Sequence, residues 1–234
     1  MEIYEIPGLF SGNVKVYHYP SGTSSKKVLL VLKGIYSEHI PNGDSWDNAL
    51  VKLLKNDYHL IFVRTSRLTG KVDREAFVGK TFEQECSEVT DAFEYCRKNI
   101  FSNDYVWGCI GVSLGGTILL ATEEVLSQMK LVVMVGSGCG KNPETTKPLL
   151  STLPETEQLL QSIDNYSGTF IFLHGEADTV VPTDSQRIIY NRAAKHSAKH
   201  EWINVPNLDH SLRDPTTRES QMAENISRYA RDNF

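Results

Sequence analysis

Cysteine is scarce in this 234-residue chain, which has four, at positions 86, 96, 109 and 139, and no CxxC pair. Cys86 and Cys96 stand ten residues apart on what reads as one helix, too far to bridge. Reduced thiols in a cytoplasmic protein are therefore expected, not a disulfide framework. Long apolar runs are also missing: none approaches the ~20 residues that span a bilayer, so no membrane association is expected. The opening "MEIYEIPG" has neither a basic n-region nor a long apolar stretch and does not read as a signal peptide. With no secretion expected, the N-x-S sequons at Asn165 and Asn225 read as chance. A phosphate loop, a dinucleotide fingerprint and a metal-ligand cluster are all absent, so no cofactor and no metal are expected. The net charge of −5 is small and has the wrong sign for a nucleic-acid or anionic-membrane surface. Nothing in the sequence sets the oligomeric state.

What is present is ordinary for a globular protein: 40% apolar and 23% charged residues, in a chain long enough to bury a core unaided. Five short apolar runs, "VLLVL" (28–32), "HLIFV" (59–63), "YVWGCIGV" (105–112), "LVVMVG" (131–136) and "FIFLH" (170–174), show little alternation. Strands buried on both faces look like this, which points to a parallel sheet covered by helices. Between the runs lie amphipathic stretches. Trp46, Ala49, Leu50, Leu53 and Leu54 share one helical face, as do Phe82, Cys86, Val89, Phe93, Cys96 and Ile100. Thr81 and Gln84 have the spacing of a capping box ahead of that second helix. A last helix is expected over roughly 216–232, with Met222, Ile226 and Tyr229 on one side. Near the N-terminus, "EIYEI" and "NVKVYHY" alternate like exposed or antiparallel strands. With no repeat, linker or low-complexity tract, residues 1–234 read as a single α/β domain whose mostly parallel central sheet is flanked by helices. Ligands bind such sheets beyond the C-terminal ends of the strands, so the residues just after each run matter most.

One of those ends reads "GVSLGG" (111–116), and "GGTILLATEEVL" then reads as a helix. Strand, serine on a sharp turn, then helix is the context that gives the G-x-S-x-G pattern meaning. Such a turn lifts the Ser113 hydroxyl clear of the sheet. The following backbone N–H groups, at the helix start, can face a developing oxyanion. Gly111 and Gly115 would be small so that strand and helix can close on the turn. A serine is a weak nucleophile on its own and needs an adjacent base held by a third group.

At these residues the sequence resembles the α/β-hydrolase superfamily, in which nucleophile, acid and histidine follow successive strands in that order. "HGEADTVVP" resembles the acid loop, with Asp178 as the acid, and "NVPNLDHSL" resembles the histidine loop, with His210 as the base. The likeness runs from about residue 14 to the last helix. It implies an α/β-hydrolase fold and a Ser113–His210–Asp178 triad, with oxyanion donors at the backbone N–H groups of Leu114 and Ile35. Within the motifs, Glu176 and Asp209 are expected to point away from the imidazole and His174 to be structural. Among the remaining histidines only His39, on a loop near the site, is a candidate for substrate contact.

Two departures stand out. Where many relatives have His-Gly, this chain has Lys33 and Gly34. Lys33 is left two roles, pairing with a carboxylate near the sheet end or reaching a charged substrate. After the next strand, the long charged loop "RTSRLTGKVDREAF" replaces the usual Asp-x-Arg-Gly turn and is a candidate pocket wall. Residues 137–168 give room for a short cap of one or two helices but not a full lid. Ser137 and Cys139 either line an acyl pocket or belong to a glycine-rich turn without contact. An open site suits small to medium acyl esters, so the expected activity is that of a carboxylesterase-like serine hydrolase and the expected partner is a small-molecule acyl substrate. A peptidase or thioesterase would use the same triad, and a non-catalytic ligand-binding protein on the same fold is the reading from another class. Ser113 excludes dehalogenases, which need a carboxylate nucleophile, and argues against the dienelactone hydrolase type, which usually has cysteine there.

Overall fold

A computed structural model describes residues 1–37, 39–67, 79–140 and 148–234. All five apolar runs form strands: β3 (Lys27–Leu32), β4 (His59–Arg64), β5 (Val106–Val112), β6 (Met129–Val135) and β7 (Thr169–Gly175). The alternating N-terminal segments form β1 (Glu2–Pro7) and β2 (Asn13–Tyr19), and an eighth strand, β8, spans Lys199–Val205. The sheet order is β1-β2-β4-β3-β5-β6-β7-β8. β1 and β2 pair antiparallel to their neighbours, and every other pairing is parallel.

Alternate residues of each central strand face opposite layers, and both layers are buried. Val28, Leu30 and Leu32 of β3 join a cluster with Phe93 of α2 (Phe82–Asn99) and Ile118 of α3 (Leu114–Ala121). Leu29 and Val31 join one with Leu50 and Leu54 of α1 (Trp46–Leu54) and Ile226 of the C-terminal helix. This double burial is why the runs lack the polar–apolar alternation of a half-exposed sheet. Among the described residues, no helix is long and apolar enough to cross a membrane.

Two helices depart from expectation. The stretch after Ser113 breaks at Thr122 (φ −114°, ψ 78°) into α3 and a short α4 (Glu123–Leu126), with the Thr122 hydroxyl bonded back to the Ile118 and Leu119 carbonyls. Ser/Thr back-bonding of this kind bends helices. The last helix, α8 (Met222–Asn233), starts at Met222 and not near 216. Asp214 Oδ1 accepts the N–H groups of Thr216 and Thr217, and Arg218 sits at φ 65°, so a local turn takes residues that would otherwise open the helix. Within 137–168, described residues form α5 (Pro148–Ser151), α6 (Thr156–Leu160) and a 3-10 turn (Gln161–Asn165), with Leu149, Leu153, Leu159, Leu160 and Ile163 in the core. Residues 141–147 of that segment, and 68–78 of the charged loop after β4, lie outside the described residues.

The capping box forms as expected. Thr81 Oγ1 accepts Gln84 N–H at 3.2 Å and Gln84 Oε1 accepts Thr81 N–H at 3.0 Å. α7 (Thr183–His196) precedes β8 and completes the helix set. Replacing Thr81→Ala removes one acceptor at the start of the longest helix, and a loss of about 1 kcal/mol is expected. Urea unfolding checks this: the midpoint falls with an unchanged slope, and an unchanged midpoint would show that the cap does not contribute.

Candidate active site

Ser113 directly follows β5 and occupies φ 52°, ψ −122°, a conformation side chains rarely adopt. Its N–H donates to the Val135 carbonyl at 2.8 Å and its carbonyl accepts Gly116 N–H at 3.0 Å. The glycines make room for this elbow. A Cβ on Gly111 would stand 2.6 Å from Gly116 Cα, and one on Gly115 would stand 2.1 Å from the Leu32 carbonyl oxygen. Backbone has no room to retreat at such distances, so strand and helix meet only where side chains are absent.

Asp178 lies three residues beyond β7 and His210 five beyond β8. Parallel pairing in register puts both loops at the same sheet edge as Ser113. His210 Nε2 is 3.0 Å from Ser113 Oγ, and His210 Nδ1 is 2.9 Å from Asp178 Oδ2. The tautomer with its proton on Nδ1 donates to Asp178 and leaves Nε2 free to accept from the serine hydroxyl. The structure thus brings together three residues separated by 97 positions of chain.

Several neighbours hold the acid and the imidazole. Asp178 Oδ1 accepts the N–H groups of Val180 (2.8 Å) and Val181 (3.1 Å), and Oδ2 also accepts Gln186 Nε2 at 2.9 Å. Burial pushes the Asp178 carboxyl upward, but the hydrogen bond and charge of His210, with the two valine amides, outweigh it and hold the pKa below the ordinary value. His174 is buried and pairs through Nδ1 with Gln186 Oε1 at 3.1 Å, the structural place expected for it. Asp209 Oδ1 accepts the Ser211 and Arg213 N–H groups, closing the turn that carries His210, and Glu176 is exposed. Gln186 is a site residue that no sequence signal marked. Gly136 (φ 56°) is another: a Cβ there would lie 2.9 Å from His210 Nδ1, so the imidazole rests on bare backbone. Its only signal was a glycine ending an apolar run.

On the opposite side of Ser113 lies the turn after β3. A Cβ on Gly34 would stand 3.3 Å from Ser113 Cβ, which places the Gly34–Ile35 peptide beside the serine. Leu114 is the first residue of α3, where the N–H has no partner within the helix. Lys33 is buried and its Nζ meets Asp47 Oδ2 at 2.8 Å, the carboxylate pairing that was one of its two expected roles. His39 is also buried, with Nδ1 2.6 Å from the same Asp47 oxygen, Nε2 2.7 Å from Tyr19 Oη and its ring stacked on Phe62. Its two nitrogens are occupied, so of the roles open to it His39 takes that of a packed histidine, part of the loop's anchor, and not the candidate substrate contact. Ser137 is fully buried against the Gly116 position and Cys139 bonds to Ser185 of α7, so Ser137 lines no pocket. Among the described residues, no group of three His, Cys, Asp or Glu side chains is placed to hold a metal ion.

No family model and no curated protein matches this sequence. Solved structures do match its fold. Est1E from Butyrivibrio proteoclasticus superposes with a TM-score of 0.71 at 12% identity, covering 99% of this chain and 98% of that one. XC6422 from Xanthomonas campestris, described as an α/β serine hydrolase without lid, gives 0.62 at 11% identity, over 97% and 94% of the two chains. Porphyromonas gingivalis dipeptidyl peptidase 4 gives 0.71 at 14% identity, covering 100% of this chain but 35% of that one. The chain has the α/β-hydrolase fold.

The Asp47 anchor has a pH signature. Burial raises the Asp47 carboxyl, yet its hydrogen bond from His39 and the charge and hydrogen bond of Lys33 prevail and carry it far below its ordinary 3.8. A lowered folded value means stabilisation that is complete above the unfolded pKa and is lost as pH falls through the folded one. Asp47→Asn is expected to cost about 3 kcal/mol at pH 7, the range for breaking a buried ion pair. Urea unfolding at pH 7 and pH 3 should show the gap to wild type narrowing at the lower pH. An equal gap at both would mean that the charge of Asp47 is not its source.

Proposed function

We propose that the protein is a serine hydrolase that cleaves small to medium carboxylic esters through an acyl-enzyme. The observation that carries this reading is the hydrogen-bonded line Ser113–His210–Asp178, with the serine held in a strained elbow. In the acylation step, His210 Nε2 takes the hydroxyl proton as Ser113 Oγ bonds to the ester carbonyl carbon. The carbonyl oxygen becomes an oxyanion facing the N–H groups of Leu114 and Ile35. The tetrahedral intermediate collapses, the C–O bond to the alcohol breaks, and His210 returns the proton to the leaving oxygen. Water then repeats the sequence on the acyl-enzyme, with His210 again as base, and frees the acid. Asp178 keeps the imidazole in the required tautomer and stabilises it when it carries both protons. Leu114 and Ile35 act through backbone alone, so their side chains are free to serve packing.

The likeness to a serine hydrolase without lid supports an open site, and that to dipeptidyl peptidase 4 makes peptide cleavage by the same groups the second reading. No cofactor enters either scheme.

A p-nitrophenyl ester series from acetate to dodecanoate tests the proposal. Turnover should be greatest for short acyl chains, and Ser113→Ala should lower kcat by at least about 10³-fold, as expected for loss of the nucleophile. Asp178→Asn should lower kcat by a comparable ~10³–10⁴-fold with little change in KM, because it favours the wrong tautomer. Undiminished turnover in Ser113→Ala would remove the proposal, whereas cleavage of dipeptide amides but no ester would select the second reading.

A further inference from the structure

The turn after β3 is held from behind by a buried arginine that the scheme above does not use. Arg67 Nη2 lies 3.0 Å from the Gly34 carbonyl oxygen and 3.4 Å from that of Lys33. The Gly34 oxygen also accepts the N–H of Ser37 at 3.1 Å. Arg67 is only 4% exposed, so these contacts are made away from water. The Gly34 carbonyl and the Ile35 N–H belong to one peptide unit. Among the described residues, Gly34 and Ile35 included, there is no cis peptide bond, so the two groups point in opposite directions from a shared plane. Whatever fixes the direction of the Gly34 oxygen therefore fixes the direction of the Ile35 N–H.

We infer that Arg67 is a positioning residue for the oxyanion site: by holding the Gly34 carbonyl it aims the Ile35 N–H across Ser113. This rests on the ester-hydrolase reading given above. Gly34 lies against the serine, since a Cβ on it would stand 3.8 Å from Ser113 Oγ, so the peptide that Arg67 holds borders the nucleophile. A cation at the carbonyl end has a second effect. It polarises the peptide and makes the N–H at the other end a stronger donor, as happens along chains of hydrogen bonds. Orientation and donor strength thus come from the same contact.

Arg67 is itself kept in place by a buried, charge-balanced group. Its Nη1 is 2.8 Å from Glu85 Oε1, an ionic contact without the alignment of a hydrogen bond. Glu85 also accepts the Thr65 hydroxyl at 2.8 Å and pairs with Lys80, which reaches Glu88 at 2.5 Å. Two cations and two carboxylates are paired within this group, three of them fully buried. Glu85 and Glu88 both belong to α2, so that helix supplies the counter-charges behind the turn. A planar guanidinium suits this place because its rigid fork meets a carboxylate and a carbonyl through separate nitrogens held in one plane, a fixed geometry that a lysine ammonium lacks.

The test compares Arg67→Lys, Arg67→Met and Ile226→Val with wild type in three measurements: phosphonylation of Ser113 by a fluorophosphonate, ester kinetics, and the Ile35 amide signal in a 15N-labelled sample. Arg67→Lys keeps the charge and loses the fork. It should lower kcat and the phosphonylation rate about 10- to 100-fold with KM within threefold, somewhat less than outright deletion of an oxyanion donor. The Ile35 amide proton should move upfield while the amides of the central strands stay in place. Arg67→Met should show larger changes of the same kind. Ile226→Val, which opens a small cavity in the layer on the other face of the sheet, should lower the melting temperature while kcat of the folded protein stays within about threefold of wild type. Arg67→Lys with wild-type rates and an unmoved Ile35 amide would overturn the inference. So would an equal fall of kcat in Ile226→Val, since the effect would then be stability alone. A wild type that neither turns over esters nor reacts with the fluorophosphonate would instead defeat the hydrolase reading. The Ile35 amide would still decide whether Arg67 orients the peptide.

Discussion

The constraint on which this structure depends is the approach of backbone to backbone at the end of β5. A side chain at Gly111 would fill the space where α3 begins and one at Gly115 the space of the Leu32 carbonyl, and Ser113 is bent into a positive φ to make that junction. Such strain persists only where the surroundings over-determine it. Here they do, because β5 lies in the middle of the sheet with β3 and β6 on either side. The Ser113 N–H is tied to β6 through Val135, and the first turn of α3 rests on β3 through Leu32. The elbow is therefore braced by both neighbours of the strand that bears it.

From this junction the rest of the site is a matter of register. β6, β7 and β8 run parallel to β5, and each delivers a loop at the same level: Gly136 as the seat of the imidazole, Asp178 as its partner, His210 itself. On the other flank, β3 delivers the Lys33–Gly34 turn. That turn is fixed on one side by Asp47 and on the other by Arg67, so two charged side chains from different elements hold a few residues of backbone. Sparse first contacts with dense support behind them are what pre-organisation requires of a site built on loops.

The central strands and the serine elbow were legible in the sequence because each has a local cause. Uninterrupted apolar runs report burial on both faces, and glycines around Ser113 report a close approach. The acid and the histidine were legible only through resemblance, since nothing in the spacing of Asp178 and His210 requires them to meet. β8 left no such mark. "KHEWINV" is an edge strand with mostly exposed side chains, so its pattern is not that of a buried run. The start of α8 was misplaced because Asp214 captures local N–H groups, a competition that helical periodicity does not register. Gln186, Arg67 and the pairing of Lys33 with Asp47 depend on which elements the topology stacks together. A glutamine on a helix, or a lysine fourteen residues from an aspartate, looks the same in sequence whether or not they touch.

The position of β8 has a further consequence. Among the described residues it is the last strand of the sheet, paired on one side only, and the loop bearing His210 hangs from its end. Ser113, by contrast, is embedded at the centre. Proteins open in parts, and edges open at lower free energy than the middle. The histidine can thus leave the serine through a sub-global opening of β8 and the segment after it, with the sheet interior and both helical layers intact. The assembled site has a smaller margin than the fold: its persistence is set by the fraying of one exposed strand, not by the stability of the core.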